Sequence, residues 1–320
     1  MDSNVEKYVQ IMDSLGVKQM VLQGPPGTSK TYSAKEIIKA YLTNSLENEI
    51  VKKDSEGNWT GHWDMVQFHP SYGYEDFVRG ITVTTEDKQI IYKTINKVFG
   101  KMCEIAQKSK NDGKKEKFFL LIDEINRADI ATVFGELIYA LEYRNESVEV
   151  PYELEDGDNR SKISVPDNLY IIATMNTADK SVGNIDYAIR RRFLFFDLLP
   201  DENVIRKNRY LNEEQDDDIV KTFRCINKFI EEATKDSQYR ANDFKIGHTY
   251  FLGCENDKIF RYRMQYQVLP ILREYYIDGI IKIYNQDKYK ALKEYLSGKN
   301  LDDEYLNGKD LLETIILEFN

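Results

Sequence analysis

Three stretches of this sequence carry residue types that can act on a phosphate chain. The first is Gly24-Pro25-Pro26-Gly27-Thr28-Ser29-Lys30-Thr31. A glycine-rich turn between a strand and a helix points its backbone N–H groups inward and cradles phosphates. The lysine then reaches the β- and γ-phosphates, and the Thr hydroxyl coordinates Mg²⁺. Ser29 stands where a glycine normally precedes the lysine. The second stretch, Phe118-Phe119-Leu120-Leu121-Ile122-Asp123-Glu124, is an apolar run ending in two carboxylates. Asp123 at a sheet edge can hold the Mg²⁺ shell, while Glu124 orients and polarises an attacking water. In the third, the strand Ile171 to Thr174 leads to Asn176, whose amide can hydrogen-bond the water or the γ-phosphate. Arg190, Arg191 and Arg192 follow side by side. Adjacent arginines on a helix point in different directions, so at most one or two can serve a single phosphate. An arginine supplied by a neighbouring subunit stabilises the charge that phosphoryl transfer spreads over the γ-oxygens. A tight turn, an acidic strand end and a basic helix end are each common alone. In this order they predict a Mg-bound nucleoside triphosphate handled by Lys30, Thr31, Asp123 and Glu124.

Elements of the right kind surround these residues. Val5 to Leu15 reads as a short amphipathic helix and Lys18 to Gln23 as a buried strand entering the turn. Thr31 to Thr43 has helical spacing, with Ala34, Ile37, Ile38 and Leu42 on one face. Trp63 to Phe68 reads as a strand, Tyr74 to Gly80 and Ile91 to Gln107 as helices, and the charged stretch Lys108 to Lys117 as a surface loop. Phe118 to Ile122 and Leu169 to Thr174 are apolar throughout, as parallel strands covered on both faces are. Ile130 to Tyr143 and Ile185 to Arg192 read as helices, and Val148 to Ile163 as a hairpin around Glu-Asp-Gly-Asp. Alternating strands and helices over residues 1–200 predict an α/β parallel sheet with helices on both faces. After Leu199-Pro200-Asp201 apolar residues recur at helical spacing (Ile219, Phe223, Ile226, Phe229, Ile230), so residues 201–320 read as a mostly helical domain. The run Ile259 to Tyr284 continues that pattern, with Pro270 expected to kink it or mark a boundary.

Composition narrows the class. With 42% hydrophobic and 31% charged residues the chain is globular. The net charge of −10, from 44 basic and 54 acidic side chains, argues against a broad DNA-binding surface. Cys103, Cys225 and Cys254 are odd in number and far apart, which fits reduced thiols better than disulfides or zinc. No apolar run approaches the roughly 20 residues that span a bilayer, and the first residues lack the basic start and apolar centre of a signal peptide. The expected location is the cytoplasm.

The order and wording of these stretches resemble an AAA+ protein, specifically the McrB type, the GTP-hydrolysing motor of modification-dependent restriction systems. The resemblance rests on Gly24 to Thr31, His69-Pro-Ser-Tyr-Gly-Tyr-Glu-Asp-Phe77, Leu121-Ile-Asp-Glu-Ile-Asn-Arg-Ala128, Phe134-Gly-Glu-Leu137, Met175-Asn-Thr-Ala-Asp179, Asp186 to Phe193 and Ile246-Gly-His-Thr-Tyr-Phe251. It implies an α/β core with a helical lid, nucleotide bound between them, and a hexameric ring. Asn176 would be the first sensor, and Arg192, with Arg191 close behind, the candidate for the arginine reaching the next subunit's nucleotide. His248 would lie near the nucleotide or the lid hinge; a buried, hydrogen-bonded histidine is the other reading. Neither His69 nor His248 has a His or Cys partner at metal-ligand spacing. A McrC-like partner that stimulates hydrolysis and brings a nuclease is also implied.

Besides Ser29, Lys180 departs from the family pattern, standing where arginine is usual and losing any bidentate contact. Only about two dozen residues precede the phosphate loop, so the DNA-reading domain expected at the N-terminus of such proteins is missing. The chain is then a motor fragment, or a subunit that leaves DNA recognition to another chain. The string Asn176-Thr-Ala-Asp179 is superficially like the guanine-reading motif of small GTPases. A residue ending a strand beside the phosphates is too far from the base to be both sensor and base reader. GTP therefore rests on the resemblance, and ATP is the alternative. Three readings follow: an oligomeric GTPase motor of a restriction complex, a MoxR-like ATPase that remodels proteins, and a nucleotide-binding scaffold that scarcely hydrolyses.

Overall fold

Phe118–Asp123 (β7) explains its own sequence. It pairs in parallel on both sides, with Trp63–Gln67 (β4) and Leu169–Asn176 (β10), and its first five side chains are buried. A strand enclosed on both edges and both faces has no polar position, hence the unbroken apolar run. In this computed structural model the described residues are 3–42, 49–53, 59–86, 88–155, 160–179, 185–210, 217–254, 256–298 and 309–320. Lys180 and the tip of the expected hairpin lie outside them.

Two compact units are formed, one from Met1–Gln23 with Lys30–Asp197, the other from Gly24–Ser29 with Leu198–Asn320. The first is α/β. Its five-stranded parallel sheet has the order β11-β1-β10-β7-β4, where β1 is Gln19–Gly24 and β11 is Leu194–Asp197. Flanking helices are α1 (Ser3–Leu15), α2 (Lys30–Leu42), α3 (Tyr74–Phe77), α4 (Val98–Asn111), α5 (Ile130–Phe134), α6 (Leu137–Glu142) and α7 (Tyr187–Arg190). The buried core runs from Phe68, Phe77 and Phe99 through the β7 and β10 side chains to Phe134 and Phe193. Arg144 fastens the sheet from below, donating to the carbonyls of Pro166 and Leu169 at 2.8 and 2.6 Å and to Gln19 Oε1 at 2.8 Å.

Besides the short antiparallel pair Lys52–Lys53 (β2) and Trp59–Thr60 (β3), two hairpins accompany the sheet among the described residues. The antiparallel pair Ser147–Glu149 (β8) and Lys162–Ser164 (β9) matches the expected hairpin. The other corrects the sequence reading: Arg79–Glu86 (β5) and Gln89–Asn96 (β6) pair in antiparallel register, so the expected helix from Ile91 begins only at Val98 and runs to Asn111. The alternation Ile81, Val83, Thr85 opposite Thr94, Tyr92, Ile90 favours a strand pair through cross-strand β-branched and aromatic contacts. Gly135, at φ +50°, splits the expected helix Ile130 to Tyr143 into α5 and α6. The helix at Ile185 to Arg192 is a single turn, and that at Tyr74 ends at Phe77.

The second unit is helical: α8 (Glu202–Asn208), α9 (Asp218–Ala233), α10 (Asp257–Arg263), α11 (Leu269–Ile277), α12 (Lys290–Leu296) and α13 (Lys309–Phe319). In α9 the residues Ile219, Phe223, Ile226, Phe229 and Ile230 are all buried, as their spacing predicts. Asp217 caps the helix by accepting from the Val220 N–H at 2.9 Å. Pro270 lies in the first turn of α11, and a π-helical turn, Met264–Val268, precedes it. The lost N–H of a proline is absorbed by that change of winding rather than by a sharp break.

Candidate functional site

Lys30 and Thr31 open α2, and Asp123 ends β7. Thr31 Oγ1 donates to Asp123 Oδ1 at 2.8 Å, joining two motifs 92 positions apart. Thr174, on the neighbouring β10, donates to the same carboxylate oxygen at 2.6 Å and accepts the Glu124 N–H at 3.1 Å. Thr174 therefore fixes the Asp123 carboxylate and the backbone of Glu124, and nothing in its residue type singled it out in the sequence. Glu124 is left-handed, φ +54°, at the start of a 3₁₀ turn, Ile125–Arg127. That conformation in a non-glycine residue is strained, and such strain gathers at working sites. Glu124 Oε2 is buried and accepts no hydrogen bond among the described residues; the Arg127 Nε lies 3.6 Å away.

Charge is balanced tightly here. Burial lowers the Lys30 ammonium to a pKa of about 8, although Glu124 and Asp123 favour its charged form. Burial raises the Glu124 carboxyl, against the pull of Arg127 and Lys30. A buried lysine and a buried carboxyl, each shifted by desolvation against the pull of its neighbours, mark this cluster as a candidate working site. Thr31 and Asp123 offer hard oxygens, a donor set that suits Mg²⁺, which takes one or two protein oxygens beside phosphate and water. Among the described residues no cluster of three or more His, Cys, Asp or Glu could hold a metal by itself.

The turn Gly24–Ser29 is held within the second unit, of which it is part. The Gly247 N–H donates to Pro26 O at 3.1 Å, and the Thr249 N–H to Gly27 O at 3.0 Å. Thr28 Oγ1 donates back to Pro25 O at 3.0 Å. Gly27, at φ +78°, needs the left-handed region, and a Cβ there would meet the Tyr250 ring at 2.6 Å. A Cβ on Gly247 would stand 2.0 Å from the Gly27 carbonyl carbon, so glycine is required for the two backbones to approach. Ser29 adopts φ +61°, the conformation a glycine would take without strain. Its Oγ lies 2.9 Å from His248 Nε2. His248 Nδ1 accepts the Asp201 N–H at 3.2 Å, so the imidazole is neutral and Nε2 carries the proton donated to Ser29. Burial lowers its pKa, consistent with that state. Asn227 in α9, not picked out in the sequence, holds both sides of Ile246, accepting its N–H at 2.8 Å and donating to its carbonyl at 3.1 Å.

The remaining candidates make their bonds outside the Thr31–Asp123 pair. Asn176 ends β10; its carbonyl accepts from Asn126 Nδ2 at 3.2 Å and its Oδ1 from the Ala178 N–H at 3.4 Å. Arg127, 3.0 Å from Asp179 Oδ2, ties that strand end to the Glu124 turn. The three arginines do not all diverge. Arg190 lies over the Phe195 ring, while Arg191 and Arg192 both reach Glu142, at 2.9 and 2.6 Å, and not the Lys30–Asp123 cluster.

Residues 19–193 match the AAA domain of the dynein-related subfamily, and residues 218–284 match the alpha-helical lid domain of McrB. The chain is 34% identical over 275 residues to the Type IV methyl-directed restriction enzyme EcoKMcrB subunit of Escherichia coli (strain K12), covering 83% of this chain and 55% of that one. It is 26% identical over 208 residues to the Type II restriction enzyme BsuMI component YdiS of Bacillus subtilis (strain 168), covering 56% of each. The chain thus spans about half the length of these curated relatives.

Proposed function

This chain belongs to the AAA+ proteins of the McrB type, and we propose that it is the motor subunit of a restriction complex, hydrolysing Mg-GTP at the interfaces of a homo-oligomeric, hexameric ring. The observation that carries the reading is the 2.8 Å bond between Thr31 and Asp123 beside Lys30. It puts the ends of the two phosphate-handling motifs in one place. The relatives support the setting, since both are named as parts of restriction enzymes. The preference for GTP follows the McrB resemblance, as do the McrC-like partner that stimulates hydrolysis and the DNA contact made through the complex. No described helix is long and apolar enough to cross a membrane.

In this reading the turn Gly24–Ser29 presents backbone N–H groups to the β- and γ-phosphates, and Lys30 supplies a point charge that the incoming anion keeps protonated. Thr31 and Asp123 would hold Mg²⁺, which when bound would supply positive charge to offset that of the phosphate oxygens. Glu124, with its carboxyl raised by burial, accepts the hydrogen bond of the attacking water. Asn176 holds that water or the γ-phosphate from β10, and an arginine enters from the adjoining subunit.

The test is steady-state phosphate release from GTP and from ATP at matched concentrations, with Lys30→Ala as blank and protein concentration varied. GTP turnover that rises steeply with protein concentration is expected, with Glu124→Gln binding nucleotide but turning it over at least a hundredfold more slowly (about 10² or more). A preference for ATP would move the assignment to a protein-remodelling ATPase. Turnover unchanged in Glu124→Gln would favour the nucleotide-binding scaffold.

A further inference from the structure

We propose that the end of the sheet opposite the nucleotide cluster carries a binding surface for the sugar–phosphate backbone of duplex DNA, formed by Lys108, Lys114, Lys115 and Lys117. The choice of DNA as the polyanion rests on the restriction-complex reading above; the surface itself does not. β7 begins directly after Lys117 and takes six residues to reach Asp123, which separates the two sites by about 20 Å. Two adjoining hollows open at this end. One, of about 330 Å³, is bordered by Lys108 and Lys114, the other, of about 300 Å³, by Lys115 and Lys117, and His62 and Glu116 line both. Lys108, Lys114 and Lys115 are exposed, and none of them forms an ion pair among the described residues. Lys117 Nζ rests 4.3 Å from the centre of the Tyr41 ring. The nearby acids are occupied instead. Glu116 accepts from Ser109 Oγ at 2.7 Å, and His62 stands between two carboxylates, with Nδ1 on Glu49 Oε2 and Nε2 3.8 Å from Glu116 Oε1. Among the carboxylates lining the hollows, Asp112 is left without a side-chain partner. Four ammonium groups thus stand beside one unmatched carboxylate, in a chain whose net charge is −10.

A merely solvated loop would leave such lysines on a loose backbone. This one is fixed. Gly113, at φ +72°, turns the chain, and the Lys114 N–H donates to the Ser109 carbonyl at 3.0 Å. Asn168 Nδ2 donates to the Ala106 and Glu116 carbonyls at 3.1 and 3.2 Å, tying the loop to α4 and to the start of β10. The backbone that carries the charges is therefore set before any ligand arrives, which lowers the ordering cost of binding. Lysine is a compact point charge on a flexible stem. It suits phosphate oxygens and lacks the paired geometry by which arginine or an amide reads a base edge. Binding at this surface is thus independent of base sequence. An acidic polypeptide offers charge of the same sign at irregular spacing, whereas a duplex presents one charge per about 1.7 Å of its axis and so supplies phosphates to both hollows at once.

Fluorescence anisotropy of a labelled duplex of arbitrary sequence is followed for the full chain and for two paired variants, each checked for an unchanged melting temperature. One pair is Lys114→Gln with Lys115→Gln. The other is Lys235→Gln with Lys258→Gln, exposed lysines of the second unit. For the parent, four phosphate contacts give a slope of log affinity against log salt of about −3.6, a fall of roughly 10²-fold between about 50 and about 200 mM salt. The loop pair should lose about 1.8 from that slope and roughly 50-fold in affinity near about 0.1 M salt, while the second pair should change little. Equal loss in both pairs, or an unchanged slope in the loop pair, overturns the proposal. Displacement of the duplex by poly-glutamate at equal charge concentration also overturns it, in favour of an acidic protein partner. Loss of DNA binding in the loop pair, beside a Lys30→Ala chain that turns over GTP as fast as the parent, leaves this surface standing and defeats the motor reading. Turnover abolished by Lys30→Ala, beside a loop pair that binds DNA as the parent does, defeats this inference alone.

Discussion

Raising the pH from 7 to 9 should weaken nucleotide binding about tenfold, through Lys30 alone. Burial lowers the Lys30 pKa from its ordinary 10.5 to about 8, with Glu124 and Asp123 opposing the shift. A triphosphate needs the protonated lysine, and its own charge changes little above pH 7.5. The binding constant therefore scales with the charged fraction, about 0.9 at pH 7 and about 0.1 at pH 9. The sign for stability is opposite. Between pH 8 and 10.5 the unfolded chain holds more protons on this group than the folded one, so Lys30 makes the nucleotide-free fold more stable as pH rises through that window. Titration of a fluorescent GTP analogue across pH 7 to 9.5 measures the first effect. Calorimetry in buffers of different ionisation heat should find up to one proton taken up per nucleotide near pH 9. Lys30→Arg, which stays charged, should bind with little change over the range. Affinity that is flat in the parent, or a fall of equal size in Lys30→Arg, would refute the reasoning.

Gly247→Ala forces a Cβ to within 2.0 Å of the Gly27 carbonyl carbon. The phosphate turn must move, so nucleotide affinity should drop at least about tenfold, with a destabilisation of about 1–3 kcal/mol by urea melt. Asn227→Leu leaves both the N–H and the carbonyl of Ile246 without their buried partner, and should cost about 2–4 kcal/mol in the same melt. At position 29, glycine removes the strain of φ +61° as well as the His248 bond, whereas alanine removes only the bond. Ser29→Gly should therefore melt as more stable than Ser29→Ala by about 1 kcal/mol. The pKa of His248 is lowered by burial, so the unfolded chain binds its proton first. Stability from this residue should fall as pH drops below about 6.5, and His248→Gln should flatten that slope.

How much could be read in advance depends on how local each cause is. Phe118 to Ile122 and Leu169 to Thr174 were legible because a strand covered on both faces leaves an unbroken apolar run, and the α9 stripe because its period is helical. The β5–β6 hairpin was not. Ile91, Ile95, Phe99 and Met102 fall at helical spacing across what is in fact a strand-to-helix boundary, and Tyr92 on the strand is exposed, so the pattern of burial gives no two-residue alternation there. Lys30, Thr31, Asp123 and Glu124 were picked out by residue type, and the structure brings Thr31 and Asp123 together. Thr174, Asn227 and Glu142 were not, because each acts by spanning a distance the sequence does not contain: Thr174 between the Asp123 carboxylate and the Glu124 backbone, Asn227 across one backbone residue, Glu142 between two arginines.

Ser29 shows how such a distant residue can rewrite a motif. A serine in the left-handed region costs about 1 kcal/mol against glycine, and a turn built for phosphates gains nothing from a side chain there. The gain lies in the hydroxyl, which meets a histidine whose other nitrogen is already committed to the Asp201 N–H. A buried neutral hydrogen bond contributes about 1 kcal/mol, enough to offset the strain and no more. Ser29 and His248 are thus one feature in two places. Glycine at position 29 would need no histidine to hold it, and without that histidine the serine would be a plain defect. The departure from the family pattern at Ser29 is therefore a tie between the phosphate turn and the segment Ile246–Tyr250 rather than a weakened phosphate turn.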